Sequence, residues 1–406
     1  MSKSKATPAA IVLALLVVAG VAAWIYQIVN GLAVTGMNNG NSWGLYITCF
    51  MFFVGLSAGG LIVASSASVF GIKQFKKVAK PAVLLSTVCI IAATAFVVVD
   101  LGGPARVFNL IIHAQIGSPL MWDIIVITIY FVINIVYLVL MKKEDGGADK
   151  TRALTITSRL ALPVAILVHS VTAWIFGLQI AKVGWYSAIM APLFVSSALD
   201  SGLALLIIVL IILNATRVFE VERKLIVSLA GLLAVFVAVD AFMVGSEILT
   251  MAYPAAEAEG ALLAVMTSGA TAPFFWGEII LGLAVPFCLL VFSKLRENTS
   301  VVVVASALIV IGVFCKRAWL LLSSFATFNV QGAPGVTYGR ADMAGTDVWA
   351  MIGIYAPTWV ELVVALGVIA LAALLYVLLA PKLFGDKKAT KTEESVAAAT
   401  EKALEA

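Results

Sequence analysis

The sequence predicts an all-α, polytopic membrane protein with ten transmembrane helices, and three observations carry that prediction. Of its 406 residues, 62% are hydrophobic and 12% are charged, with a mean hydropathy of +1.09, more apolar surface than a soluble core needs. The apolar residues gather into ten runs, each close to the ~20 residues that span a bilayer. The basic residues fall into alternate loops, as they do when one side of a membrane is positive.

Segment 1 covers roughly residues 8–29. Lys3 and Lys5 ahead of it, with Val21-Ala22-Ala23 inside it, also describe a cleaved signal peptide. The apolar stretch continues through Val29, longer than a signal core, so a retained helix is expected. Segments 2 to 5 are placed at roughly 45–70, 81–99, 120–141 and 154–181. Segments 6 to 10 follow at roughly 191–213, 225–251, 273–293, 299–322 and 357–379. The tail from Lys387 to Ala406 is rich in Lys, Glu, Thr and Ala and too polar to pack, so residues 381–406 are expected as a polar cytoplasmic tail after one membrane domain over 1–380.

Loop charge orients these segments. Lys73, Lys76, Lys77 and Lys80 lie between segments 2 and 3, Lys142, Lys143, Lys150 and Arg152 between 4 and 5, Arg217, Arg223 and Lys224 between 6 and 7, and Lys294 and Arg296 between 8 and 9. The alternate loops hold only Arg106, Lys182 and Arg340. Both termini are therefore expected in the cytoplasm, with the turn after Asp100 outside. The net charge of +4 reflects this topology and calls for no nucleic-acid partner.

The chain also repeats itself. Segment 2 carries Phe53-Val54-Gly55-Leu56-Ser57-Ala58-Gly59-Gly60 and segment 6 carries Phe194-Val195-Ser196-Ser197-Ala198-Leu199-Asp200-Ser201-Gly202. Segment 4 opens with Pro119-Leu120-Met121-Trp122-Asp123 and segment 8 with Pro273-Phe274-Phe275-Trp276-Gly277-Glu278, at offsets of about 140 to 155 residues. Two parallel-topology four-helix bundles are expected, segments 2–5 (about 45–181) and 6–9 (about 191–322), flanked by segments 1 and 10. The small residues of Gly55-x-x-x-Gly59 are expected to let helix backbones approach closely.

Cofactor chemistry is bounded by two residue types. Cys49, Cys89, Cys288 and Cys315 each stand alone in an apolar segment, so this chain is not expected to hold an iron–sulfur cluster or a zinc site by itself. Its two histidines are His113, in a loop, and His169, inside segment 5, which argues against bis-histidine haem.

Four motifs stand out: Trp43-Gly44-x-Tyr46, the turn Asp100-Leu-Gly-Gly-Pro-Ala-Arg-Val-Phe-Asn109, Ser118-Pro119-Leu-Met-Trp122-Asp123 and Pro192-Leu-Phe-Val-Ser-Ser-Ala-Leu-Asp-Ser-Gly202. Together they resemble the NrfD/PsrC family, the membrane subunits of polysulfide-reductase-like complexes. The ten spans, His169-Ser-Val-Thr-Ala-Trp174 and Tyr355-Ala-Pro-Thr-Trp359-Val-Glu361 resemble the longer branch found in hydrogenase-2-type, quinone-reductase and alternative complex III assemblies. Gly103 and Ala105 depart from the residues more usual at that turn. The resemblance implies a haem-free subunit in a bacterial or archaeal cytoplasmic membrane that binds quinone, with menaquinone favoured. It also implies electron exchange with an iron–sulfur, ferredoxin-like partner wired to a molybdopterin or similar catalytic subunit.

The residues themselves offer a matching site. In the expected topology Asn41, Trp43 and Tyr46 open segment 2, Asp100 closes segment 3, Asp123 opens segment 4, and His169 lies in the outer half of segment 5. A quinone needs an apolar slot, a donor to each carbonyl and a protonatable group. His169 and Asp100 supply the last, Tyr46 and Asn41 can donate, and Arg106 can hold a reduced oxygen. Other readings stay open: His169 as an interhelical hydrogen-bonding residue, Asp100 and Asp123 as solvated helix-end acids, Arg106 as the partner of Asp100, and Trp43, Trp122, Trp174 and Trp185 as an aromatic belt.

Asp200, Asp240, Glu247, Glu278 and Glu361 form a second set, acids at membrane depth that suggest a proton route, with a structural ion-pair network, including Lys316 and Arg317, as the competing reading. Ten spans, a duplicated bundle and buried acids also describe a secondary transporter or proton channel. The Asp100 turn and the scarcity of mid-helix Gly/Pro breaks argue against that, and an anchor that binds no quinone is a third alternative. The long, sparsely charged outer loops at 100–119, 252–272 and 323–356 are the expected platform for the iron–sulfur subunit.

Overall fold

Each apolar run forms a helix in the computed structural model, which describes residues 3–38, 40–327 and 355–384. The ten spanning helices are α1 (Lys3–Asn30), α2 (Leu45–Val69), α3 (Ala79–Asp100), α4 (Pro119–Asp145) and α5 (Thr151–Gly177). They continue with α6 (Met190–Ala215), α7 (Arg223–Ala252), α8 (Ala272–Val291), α9 (Thr299–Phe325) and α10 (Trp359–Phe384). No strand occurs among the described residues, and all ten helices are long and apolar enough to cross a membrane. Their ends lie within a few residues of the expected ones, because the polar and Gly/Pro-rich breaks set them. Pro119 takes the first turn of α4, where its missing N–H costs nothing, and the Asn298 side chain accepts from Ser300 N to cap α9. Of the expected docking platform, residues 328–354, with Arg340 among them, lie outside the described residues, as does the tail from Lys387.

The hub is α2. Of its span 94% is buried, against 11% for α1, because α2 touches α3, α5, α6, α9 and α10. Helices α2, α3, α4 and α5 pack in a closed ring, and α6, α7, α8 and α9 pack in another. The rings meet where α2 lies on α6 and α9 and where α5 lies on α6. Helices α1 and α10 pair with each other, and α10 rests on α3. Small residues make these contacts possible, since helices in lipid associate by close packing. A Cβ on Gly59 would stand 2.0 Å from the Ala198 carbonyl oxygen and 2.8 Å from Gly202 Cα, and one on Gly20 would stand 2.6 Å from Gly367 Cα.

One feature was not expected. Helix α8 is interrupted over Gly277–Ala284 by a π-helical stretch. Pro286 has no N–H for the carbonyl four residues back, that of Gly282, and its ring crowds that same group. Gly282 in turn lies against Gly312 of α9, where a Cβ on Gly312 would meet Gly282 Cα at 2.1 Å. Widening the helix by one residue per turn relieves the clash while keeping backbone groups paired, as lipid demands.

The lysine-rich loops meet at one end of the molecule. Lys77 pairs with Glu222 at 2.5 Å, Lys80 with Asp145 at 2.5 Å, and the Arg223 guanidinium donates to the Glu297 carbonyl. The Asp100 turn and the entries to α2 and α10 lie at the opposite end.

Candidate functional site

At the Asp100 end, four helices deliver polar groups to one place. Gln27, a buried amide near the end of α1, donates from Nε2 to the Val99 carbonyl at 2.9 Å. Its Oε1 accepts from the Tyr46 phenol of α2 at 2.6 Å. Asp100 and Glu361 are the carboxylates whose charges act on that phenol. Glu361, in the first turn of α10, accepts from Gly36 N at 2.7 Å, from Thr358 N at 2.9 Å and from the Tyr355 hydroxyl. Tyr355 accepts in turn from Leu45 N at 2.8 Å, so one tyrosine and one glutamate bind the entries to α2 and α10 together. Burial, then the Glu361 carboxylate, hold the Tyr355 phenol well above its usual range, so it stays a hydrogen-bond donor at neutral pH. A Cβ on Gly44 would stand 2.3 Å from the Tyr355 ring, which accounts for the glycine between Trp43 and Leu45. Gly102 takes a left-handed φ of 65° to turn the chain after Asp100.

At this end of the molecule, Oδ1 of Asp100 and both amide atoms of Asn41 are buried and have no partner among the described residues. Unpaired buried polar atoms are costly, and in a native fold they commonly face a ligand or water.

A second cluster occupies the centre, where α5, α6, α7, α8 and α9 meet. Lys316 Nζ lies 3.0 and 3.1 Å from the two Asp240 oxygens and 3.4 Å from Glu278 Oε1. Ser196 donates to Asp240 at 2.6 Å, and the Trp319 indole donates to Glu278. The neighbouring Arg317 donates to Ser197 at 2.5 Å, approaches His169 Nε2 at 3.3 Å and stacks 3.9 Å above the Phe194 ring. Among the described residues, Asp200, one turn beyond Ser196 and Ser197 on α6, has no hydrogen-bond partner at either oxygen, and Arg317 Nε and Nη1 are likewise unpartnered. All five charged residues are fully or almost fully buried. Three carboxyls face two cations, so the network is neutral only when one carboxyl keeps its proton.

The sequence-predicted residues therefore divide differently from expectation. Tyr46 and Asp100 come together, but His169 does not join them. It is fully buried against Gly55, where a Cβ would meet its ring at 3.3 Å, and it belongs to the central network through Arg317. Asp123 is buried between α4 and α5 and accepts from Thr172 at 2.6 Å, one turn from His169. Trp43 stacks on Trp185 at 5.9 Å and meets Phe176 edge-on at 5.8 Å, in an aromatic cluster away from the carboxylates. Trp185 is buried and donates to the Leu320 carbonyl at 2.9 Å, so packing rather than a lipid-facing belt places it. Arg106 is exposed and makes no ion pair with Asp100. Among the acids, Asp200, Asp240 and Glu278 are neighbours, and Glu247, two turns beyond Asp240, accepts from Ser187 at 3.0 Å. Glu361 stands apart from them, in the Asp100 cluster. No group of three or more metal-ligating side chains occurs among the described residues.

The sequence profile of the family described as Polysulphide reductase, NrfD, matches residues 33–329, which is most of the chain and takes in both clusters except for Gln27, Tyr355 and Glu361. The chain belongs to the NrfD family. With ten apolar helices it is a multi-pass integral membrane member of that family. A dimethyl sulfoxide reductase membrane subunit of Halobacterium salinarum, itself named as putative, is 38% identical over 384 residues, covering 90% of this chain and 88% of that protein. The Hdr-like menaquinol oxidoreductase integral membrane subunit of Archaeoglobus fulgidus is 28% identical over 395 residues, 95% of each. A selenate reductase subunit of Mesobacillus selenatarsenatis is 24% identical over 400 residues, 90% of this chain and 91% of that protein. Helices α1 and α10 of this NrfD chain lie outside the profile match. The sequence reading missed Gln27, although a lone amide in an otherwise apolar segment was the available signal.

Proposed function

We propose that this NrfD-family chain is the membrane subunit of a quinone-linked respiratory oxidoreductase. It binds quinone or quinol and exchanges electrons with a docked iron–sulfur, ferredoxin-like subunit, which connects to a molybdopterin or similar catalytic subunit. The observation that carries this reading is the Asp100 cluster, in which a carboxylate with an unpartnered oxygen stands beside a buried Tyr46–Gln27 pair in an apolar surround. The relatives' names point the same way and favour menaquinone: a dimethyl sulfoxide reductase membrane subunit, a selenate reductase subunit and an integral membrane subunit of a menaquinol oxidoreductase.

A bound quinone supplies a two-electron, two-proton couple: oxidising the quinol sends two electrons to the partner's clusters and leaves two protons to be carried off. Asp100 Oδ1 is the base that takes a proton on quinol oxidation and returns it on reduction. Tyr46 and Gln27, locked to each other and to the α3 backbone, orient the ring, and the Asn41 amide is a further donor. The surrounding helices exclude water from the exchange. This chain brings neither haem nor cluster of its own, and the electron acceptor belongs to the partner.

The central network is the proton-route half of the reading. Asp200, Asp240 and Glu278 are its proton-carrying groups, held beside Lys316 and Arg317, and Glu247 extends the line along α7. Both termini are cytoplasmic in this reading, so the Asp100 end faces outward and carries the partner. The two rings of helices, about 45–181 and 191–322, are the halves of a duplicated unit inside one membrane domain. The central charges and the π-helical break in α8 also suit a secondary transporter, and that break removes one objection raised by the sequence. Purification from native membranes separates the two. A multi-subunit complex with iron–sulfur absorbance and bound quinone supports the proposal, whereas a lone chain that moves solute into vesicles supports the transporter. In the complex, Asp200→Asn is expected to lower the proton-to-electron ratio while leaving quinone binding intact.

A further inference from the structure

An apolar groove of about 510 Å³ runs between α1, α3, α4 and α10, within the ~300–1,000 Å³ of typical small-molecule sites. Val17, Gly20 and Trp24 line it from α1, and Ala95 and Val98 from α3. Phe131 lines it from α4 and Val368 from α10. Val21 and Phe131 are exposed at its edge, so it opens on the face turned to the bilayer.

The helical register places polar groups at one end of this groove. On α1 the stripe Val17, Gly20, Val21, Trp24 continues one turn later to Gln27. On α10 the stripe Leu371, Val368 and Gly367, Val364 continues one turn back to Glu361. On α3 the lining ends at Val98 and Val99, where the Val99 carbonyl accepts the Gln27 amide and the next residue is Asp100. Three walls of one apolar groove thus terminate in the polar cluster already described. A channel that is apolar along its length, polar at one end and open sideways to lipid matches a molecule with a long hydrocarbon tail and a compact polar head.

We propose that this groove holds the proximal isoprenoid tail of the quinone, with its ring at the Gln27–Tyr46–Asp100–Glu361 end, and that the molecule enters laterally from the bilayer. The inference rests on the quinone-linked reading of the chain and adds a role for α1 and α10, which lie outside the family match. These two helices close the wall that α3 and α4 leave open. The Gly20–Gly367 contact, with backbones too close for a Cβ, holds the α1–α10 pair at the separation that shapes the groove.

The test uses the intact complex, assayed with a long-tailed menaquinol and with menadiol, which has the same ring and no tail. Ala95→Leu, or Thr94→Phe if the first variant does not assemble, fills the groove without touching the polar cluster. Either change is expected to raise the ratio of KM for long-tailed menaquinol to KM for menadiol roughly tenfold, the loss of about two tail methylenes from an apolar wall. Ala22→Leu, on the exposed face of α1 beside the groove, is expected to leave that ratio unchanged. An unchanged ratio in both groove variants overturns the tail site while leaving the quinone reading intact. Loss of co-purified phospholipid with that ratio unchanged assigns the groove to a lipid acyl chain and overturns the proposal too. Failure of the unaltered complex to turn over either quinol overturns the underlying reading.

Discussion

The two polar clusters are built on opposite principles. The central one sets charge against charge: Lys316 sits between Asp240 and Glu278, Arg317 caps His169 and Ser197, and all of these charged groups are buried. The one at the Asp100 end relies on hydrogen bonds without ion pairs, a Gln27–Tyr46 pair and a Tyr355–Glu361 pair that bind loops to helices, and it adjoins an apolar groove. Ionised groups deep in a membrane are costly unless paired, and Lys316 supplies that pairing for Asp240 and Glu278. Both clusters carry unpartnered polar atoms among the described residues, on Asp200 and Arg317 in the first and on Asp100 and Asn41 in the second, and the second lies at the end of the apolar groove between α1, α3, α4 and α10. The charged groups of the central cluster are all buried, whereas Asp100 of the other cluster is half-buried, so charge density and accessibility do not run together.

Breaking each cluster tests that contrast. Lys316→Met leaves Asp240 and Glu278 buried without their cation and is expected to destabilise the complex by about 3–5 kcal/mol, read as a shift in a denaturant titration in detergent. A loss below about 1 kcal/mol would mean the carboxylates are not held as a charged network. Tyr46→Phe removes one neutral bond and strands Gln27 Oε1, so a smaller cost of about 1–3 kcal/mol is expected in the same titration. If it equals that of Lys316→Met, the distinction between the clusters fails. Glu222→Gln at the lysine-rich end removes only an exposed pair with Lys77 and is expected to leave the midpoint unchanged, because solvent and salt screen such pairs. A clear shift there would mean that contact fixes the loops.

The spans and their order were legible because a bilayer forces a ~20-residue apolar period that any helix must show in sequence. The small-residue contacts were partly legible: Gly59 was expected to allow close approach, but its partner Gly202 comes from the other ring and only packing reveals it. The π-helical stretch of α8 was hidden because it depends on Pro286 and Gly282 meeting Gly312, a contact from another helix. How the candidate residues divide between the two clusters was not legible. His169 and Asp100 were placed together by depth, yet depth fixes only one coordinate, and the helices carrying them face different neighbours. Glu361 was grouped with the acids of α6 to α8 by chemistry, whereas α10 lies beside α1 and carries it to the other cluster.

The central claim is that proton exchange with the quinone takes place at Asp100, apart from the ion network. Asp100→Asn in the assembled complex tests it, with quinol-linked turnover and the partner's activity with an artificial dye measured side by side. The asparagine keeps the size of the side chain and removes its ability to take a proton, so quinol-linked activity is expected to fall at least a hundredfold, the scale of a lost general base, while dye activity persists. Wild-type rates in both assays would contradict the claim and move the chemistry elsewhere in the chain.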